Sequence, residues 1–106
     1  MEFVKTKKYE IYIGLKDRAT YEELFSIEDF VAILSALCVN KQIGFSMTKQ
    51  FGGYTHQKGY VTENSIRITL LGIDKASVYA LGDILKQRIN TDTILITVED
   101  CECVYA

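Results

Sequence analysis

The chain has 106 residues, 48% of them hydrophobic and 25% charged, with fourteen acidic against twelve basic side chains and a formal charge of −2. That is room for one domain, residues 1–106, around one core, and the charge balance excludes a clamp for nucleic-acid backbones. No apolar run approaches the roughly 18 residues of a membrane span, and residues 1–25 lack a signal-peptide pattern. Cys38, Cys101 and Cys103 form no Cys-x-x-Cys pair, so a cytoplasmic protein in a reducing compartment is expected, with no membrane partner.

Residues 8–15 alternate, with Tyr9, Ile11, Ile13 and Leu15 on one parity and Glu10, Tyr12 and Gly14 on the other, which predicts a strand with one buried face. Lys16 to Phe25 is polar and charged and reads as a loop, its Asp17, Arg18, Glu22 and Glu23 as a solvated charge run. Ser26 offers an N-cap and Asp29 suits the first turn of a helix whose apolar positions are Ile27, Phe30, Val31, Leu34, Leu37 and Cys38, with Asn40 as its stop. Residues 43–51 return to period two, with Ile43, Phe45, Met47 and Phe51 on one side. The stretch 52–59 reads as a long Gly-rich hairpin loop. Residues 60–71 then alternate, Ile66, Ile68 and Leu70 inward and Glu63, Ser65, Arg67 and Thr69 outward. Asp74 caps a second helix over 75–89, built on Val78, Leu81, Leu85 and Ile89, with Lys86 and Arg88 in its last turn and Asn90 at its end. A last strand takes 93–99, with Ile94, Ile96 and Val98 inward, and 100–105 is its bulged continuation or a short tail.

The order β-α-β-β-α-β, with one apolar stripe per helix and one apolar face per strand, predicts an α+β, two-layer ferredoxin-like sandwich. It would have a four-stranded antiparallel sheet and both helices on one face. The other sheet face is then uncovered. Tyr12, Leu71 and Leu95 lie on it, so they are expected at a subunit interface of a homo-oligomer, dimer or trimer.

The segment 51–60 holds the only His of the chain, and Tyr54, His56, Lys58 and Tyr60 within it, joined by Arg67, form the candidate ligand or partner site. The competing reading is a long hairpin loop whose aromatics pack on the strands. His56 has no second ligand at metal spacing, Cys101 and Cys103 share one strand parity, and Cys38 belongs to a helix core. No catalytic residue, metal or cofactor is therefore expected, nor enzymatic turnover. Nucleic acid is not expected either, because the third strand has Glu63 where an RNA-stacking aromatic would stand. The function expected is a non-enzymatic oligomeric binding module for a small anionic, nucleotide-like ligand held by the hairpin loop. The alternative is a protein-interaction module, such as a phage or mobile-element inhibitor of a host complex.

The segment Gly52-Gly53-Tyr54-Thr55-His56, with Tyr60 to Ser65 and the first strand Tyr9 to Leu15, resembles a group of small uncharacterised ferredoxin-like proteins of bacteria and phages. At the level of fold the chain is also similar to the PII and CutA-like trimers. That similarity implies a trimer in which the hairpin between strands two and three reaches a ligand site between subunits.

Overall fold

The computed structural model describes residues 1–57 and 59–106. In chain order it contains β1 (Val4–Gly14), α1 (Ile27–Lys41), β2 (Ser46–His56), β3 (Gly59–Leu71), α2 (Lys75–Ile89) and β4 (Ile94–Cys103). The strands form one sheet in the order β2-β3-β1-β4, each neighbouring pair antiparallel. This is the ferredoxin-like βαββαβ arrangement predicted from the alternation of periods.

The core follows from those periods. Ile11 and Ile13 of β1 and Ile66, Ile68 and Leu70 of β3 are fully buried, against Phe30 and Leu34 of α1 and Val78, Leu81, Leu85 and Ile89 of α2. A Cβ at position 82 would come 2.8 Å from Ile94 Cδ1, so Gly82 lets α2 lie close on β4. Ser26 Oγ accepts from the Asp29 N–H and Asp74 Oδ2 from the Ser77 N–H, which satisfies donors that each helix start leaves open. Gln42 and Asn90 end the helices in the left-handed region, so α1 runs one residue beyond the predicted Asn40 stop.

Both outer ends of the sheet run longer than the apolar alternation indicated. β1 begins at Val4, opposite Cys103, because polar residues there pair across to β4, with ion pairs Lys7–Asp100 and Lys8–Glu99. Residues 100–103 are therefore a regular continuation of β4. Val98, expected inward, is largely exposed on this edge strand.

The larger correction concerns the predicted loop 52–59, whose residues 52–56 and 59 are strand. β2 and β3 stay paired as far as His56 and Gly59, so Gly52 and Gly53 are strand residues. A glycine pair is an ordinary turn signal; here Gly53 makes room for a ring. A Cβ at position 53 would lie 2.5 Å from the Tyr60 hydroxyl, because the Tyr60 side chain lies across that glycine. The last β1–β3 pair is Gly14 with Ser65, whereas the β2–β3 ladder continues for six further pairs, from Phe51–Asn64 to His56–Gly59. At about 3.4 Å per residue that is a two-stranded arm of about 20 Å, on a molecule measuring 51 × 28 × 22 Å. Phe51, assigned to the buried face, lies on this arm past the helices and is 72% exposed. Among the described residues no helix is long and apolar enough to cross a membrane.

Candidate functional site

The sheet face away from the helices is organised in rows by the strand register. One row reads Thr48, Arg67, Tyr12, Leu95; the next reads Gln50, Ser65, Gly14; the next pairs Gly52 with Glu63. Tyr12, Leu95, Gln50, Ser65 and Gly14 of these rows, Gly52 and Glu63 at the base of the hairpin arm, and Thr91 and Thr93 after α2 line a cleft of about 370 Å³, within the range of small-molecule sites.

Among the described residues Glu63 is the one charged side chain lining that cleft, and it is only 8% exposed. Its seat has two parts. Lys16 donates its backbone N–H to Glu63 Oε2 at 3.0 Å. Gly14 supplies the space, since a Cβ there would lie 2.1 Å from Oε1. The chain around Lys16 is itself tied down, by Leu15 N–H to the Asn64 carbonyl at 3.1 Å and by Asn64 Nδ2 to Glu23 Oε1 at 3.0 Å.

Tyr54 stands beside Glu63 on the same face of the arm. Partial burial, then the negative charges of Glu63 and Asp92 and a hydrogen bond to Glu63, hold its phenol above the ordinary tyrosine range. It therefore faces the cleft as a protonated donor. His56, two residues on, has its Nε2 at 3.1 Å from Asp92 Oδ2 and its ring nitrogens at 3.2 and 3.3 Å from the Tyr21 hydroxyl. The Tyr21 and Tyr54 rings meet the imidazole edge-on, at 5.4 and 6.4 Å between centroids. Sequence reading found no orienting partner for His56. The fold supplies Asp92, from the far side of α2.

Asp17 is likewise not part of a solvated charge run. Its Oδ2 accepts from Asn90 Nδ2 at 3.0 Å, and its Oδ1 accepts from the N–H groups of Ala19 and Thr20 at 2.8 and 3.2 Å. The Asn90 hydrogen bond first, then the backbone bonds, hold its carboxyl below the usual carboxylate range.

Of the residues singled out from sequence, Tyr54 and His56 share one face of the arm, and Tyr12 and Leu95 line the same cleft. Tyr60 lies on the opposite face of the hairpin, over Gly53 and 71% exposed, so the two tyrosines do not form one stacking site. Lys58 lies outside the described residues. Arg67 Nε is 3.3 Å from Glu10 Oε2, an ion pair by distance that lacks the alignment of a hydrogen bond. Leu71 sits at the other end of the sheet opposite Lys8, with the row Thr69, Glu10, Thr97 between it and Tyr12, so the three proposed interface residues are not one contiguous patch. Glu63 was noted only as unsuited to RNA stacking. Its signal is an acid that shares a face with a glycine one strand away, which only the register reveals.

No protein-family model matches the chain, and no curated protein matches it by sequence. Solved structures do. A phage SAM lyase in its apo state is 27% identical over 94% of this chain and 86% of its own, with a TM-score of 0.73. A phage SAM lyase in complex with S-methyl-5'-thioadenosine matches at 24% identity over 94% and 90% of the two chains, also with a TM-score of 0.73. The PII-like protein CPII from Thiomonas intermedia K12, bound to ADP, AMP and bicarbonate, matches at 14% identity over 99% of each chain, with a TM-score of 0.58. CutA from Synechococcus elongatus PCC7942 matches at 11% over 92% and 80%, with a TM-score of 0.58. The likeness to PII-like and CutA proteins thus holds at the level of fold. The expectation of a protein without enzymatic turnover is overturned, because the phage proteins sharing this fold at 27% identity are lyases. Its premise had failed already, since it took His56 to lack a partner.

Proposed function

We propose that this protein is an enzyme that cleaves S-adenosylmethionine in the Glu63 cleft and releases S-methyl-5'-thioadenosine. The observation that carries this reading is the charge of the cleft. Among the described residues its lining includes one buried carboxylate and no Lys or Arg, which suits a sulfonium cation better than a diphosphate. In this reading the ligand is a sulfonium cation in place of the small anionic ligand expected at His56 and Lys58, and Arg67 lies beside Glu10.

The product fixes the bond. S-methyl-5'-thioadenosine keeps the methyl and adenosyl groups, so the bond broken joins sulfur to the γ-carbon of the amino-acid arm. The bonding pair stays on sulfur as a neutral thioether, while the γ-carbon takes a new bond from the substrate's own carboxylate oxygen and leaves as a five-membered lactone, with no water or external base consumed. Sulfur loses its positive charge along this path. Glu63 therefore favours bound substrate over the neutral product and helps release. Tyr54 stands beside the Glu63 carboxylate on the same face of the arm and lines the same cleft. The cleft is open toward the uncovered sheet face, and a second copy of the chain over Tyr12 and Leu95 would close it; the working form in this reading is a dimer or trimer.

The test is to incubate the purified protein with S-adenosylmethionine and resolve the nucleosides by chromatography against a heat-inactivated control. The expected result is S-methyl-5'-thioadenosine formed above background, with kcat/KM reduced about 100-fold or more in Glu63→Gln, equivalent to about 2.7 kcal/mol. No product from a folded wild type, or an undiminished rate in Glu63→Gln, would overturn the proposal.

A further inference from the structure

We propose that His56 and Asp92, braced by Tyr21, are a positioning clamp that holds the hairpin arm over the cleft and so sets the affinity for the nucleoside. The proposal rests on the lyase reading for its ligand, but not for its mechanical part.

The contact joins two walls. Gly52, Gly53 and Tyr54 of β2 line one side of the cleft, and Thr91 and Thr93 line the other. His56 is two residues beyond Tyr54 on the same face of the arm, and Asp92 lies between the two threonines, so the 3.1 Å contact ties wall to wall. An ionised carboxylate only accepts, which makes Nε2 the nitrogen that carries the proton. With 19% and 40% of the two side chains exposed, the pair is partly shielded, unlike the open surface pairs that contribute little.

The arm depends on such a tie. Its six outer pairs extend past β1, and a two-stranded ribbon on its own is marginal in water. The other side of the clamp is rigid. The Asn90 side chain donates to Asp17 and its carbonyl accepts from the Arg18 N–H at 2.9 Å, while the Thr91 N–H reaches the Lys86 carbonyl at 3.3 Å. Tyr21 is held in the left-handed region at φ 59°, its N–H on the Asp17 carbonyl at 2.8 Å. Asp17 thus anchors both groups that receive His56, and the imidazole docks a projecting arm on a fixed platform.

The experiment uses the full chain with His56→Ala, Asp92→Ala, the double variant and Asp92→Asn, which keeps an acceptor for Nε2. Two readouts are taken: hydrogen exchange of the amides in 52–56 and 59–63, and steady-state kinetics with S-adenosylmethionine. In the expected result each Ala variant speeds exchange of the arm about tenfold or more relative to α2, and raises KM about tenfold with kcat within about threefold. The double variant is no worse than either single one, and Asp92→Asn recovers part of the loss. Unchanged exchange in the arm would overturn the proposal, as would independent, additive effects of the two substitutions or a fall in kcat at constant KM. If the wild type forms no S-methyl-5'-thioadenosine, the lyase reading fails, and the exchange arm of the experiment still decides the clamp.

Discussion

Glu63 is a buried carboxylate that owes its place to what position 14 lacks. Adding one methyl there would drive a Cβ to 2.1 Å from Oε1, with the neighbouring Lys16 N–H bond blocking escape on that side. Gly14→Ala is therefore expected to destabilise the protein by about 1–3 kcal/mol, the range for overpacking a filled site, and to reduce turnover by displacing the carboxylate. In a Glu63→Ala background the same substitution meets open space and is expected to cost far less. Urea unfolding of the four proteins in that cycle measures the difference, and equal costs in both backgrounds would show that Gly14 acts through its backbone instead.

Among the elements, the joint between the β1–α1 loop and the end of α2 carries the most weight for the site. Asp17 and the cap residue Asp74 are both held below the ordinary carboxyl range, Asp17 by Asn90 first and Asp74 by the Ser77 side chain first. A carboxyl whose folded pKa is lowered stabilises the protein fully above its unfolded value, near about 3.9, and that contribution disappears as pH falls through the lower folded value. Asn90→Gly keeps a residue suited to φ 59° and removes only the side-chain donor. It is expected to lower Tm at pH 7, with the gap to wild type closing as the pH falls toward 2. A gap that persists unchanged at pH 2 in a thermal-unfolding series would mean the loss is conformational and not carried by the Asp17 carboxylate.

The same scale explains what the sequence made legible. α2 is read correctly over 75–89 because Asp74, the apolar stripe and Asn90 are local signals a few residues apart. The four-stranded topology follows from period-two runs of equal strength. The arm was misread because Gly52 and Gly53 carry the same local signature in a turn as in a strand that accommodates a ring, and only Tyr60 lying across Gly53 distinguishes them. Tyr12 and Leu95 are legible as unusual residues in exposed parity, and Tyr54 and His56 as part of an unusual concentration of side chains in a segment that reads as a loop. Glu63, Tyr21 and Asp92 are not, since each acquires its meaning from a partner contributed by a distant strand or loop.

At the scale of the whole molecule, one sheet face has the helices and the other has the cleft, with the 58% exposed Leu95 beside Tyr12 at its margin. A second or third copy seated there would bury that margin and close the cleft. Light scattering at micromolar concentration is expected to give two or three times the single-chain mass, with Leu95→Lys shifting it toward the monomer. A 12.0 kDa species in the unsubstituted protein would remove the assembly. One property of the Gly14 seat reaches beyond this chain. A side chain at 14 and an acid at 63 compete for one space, so the two positions are expected to change together among relatives of this chain, and a set of their sequences in which they vary independently would remove that expectation.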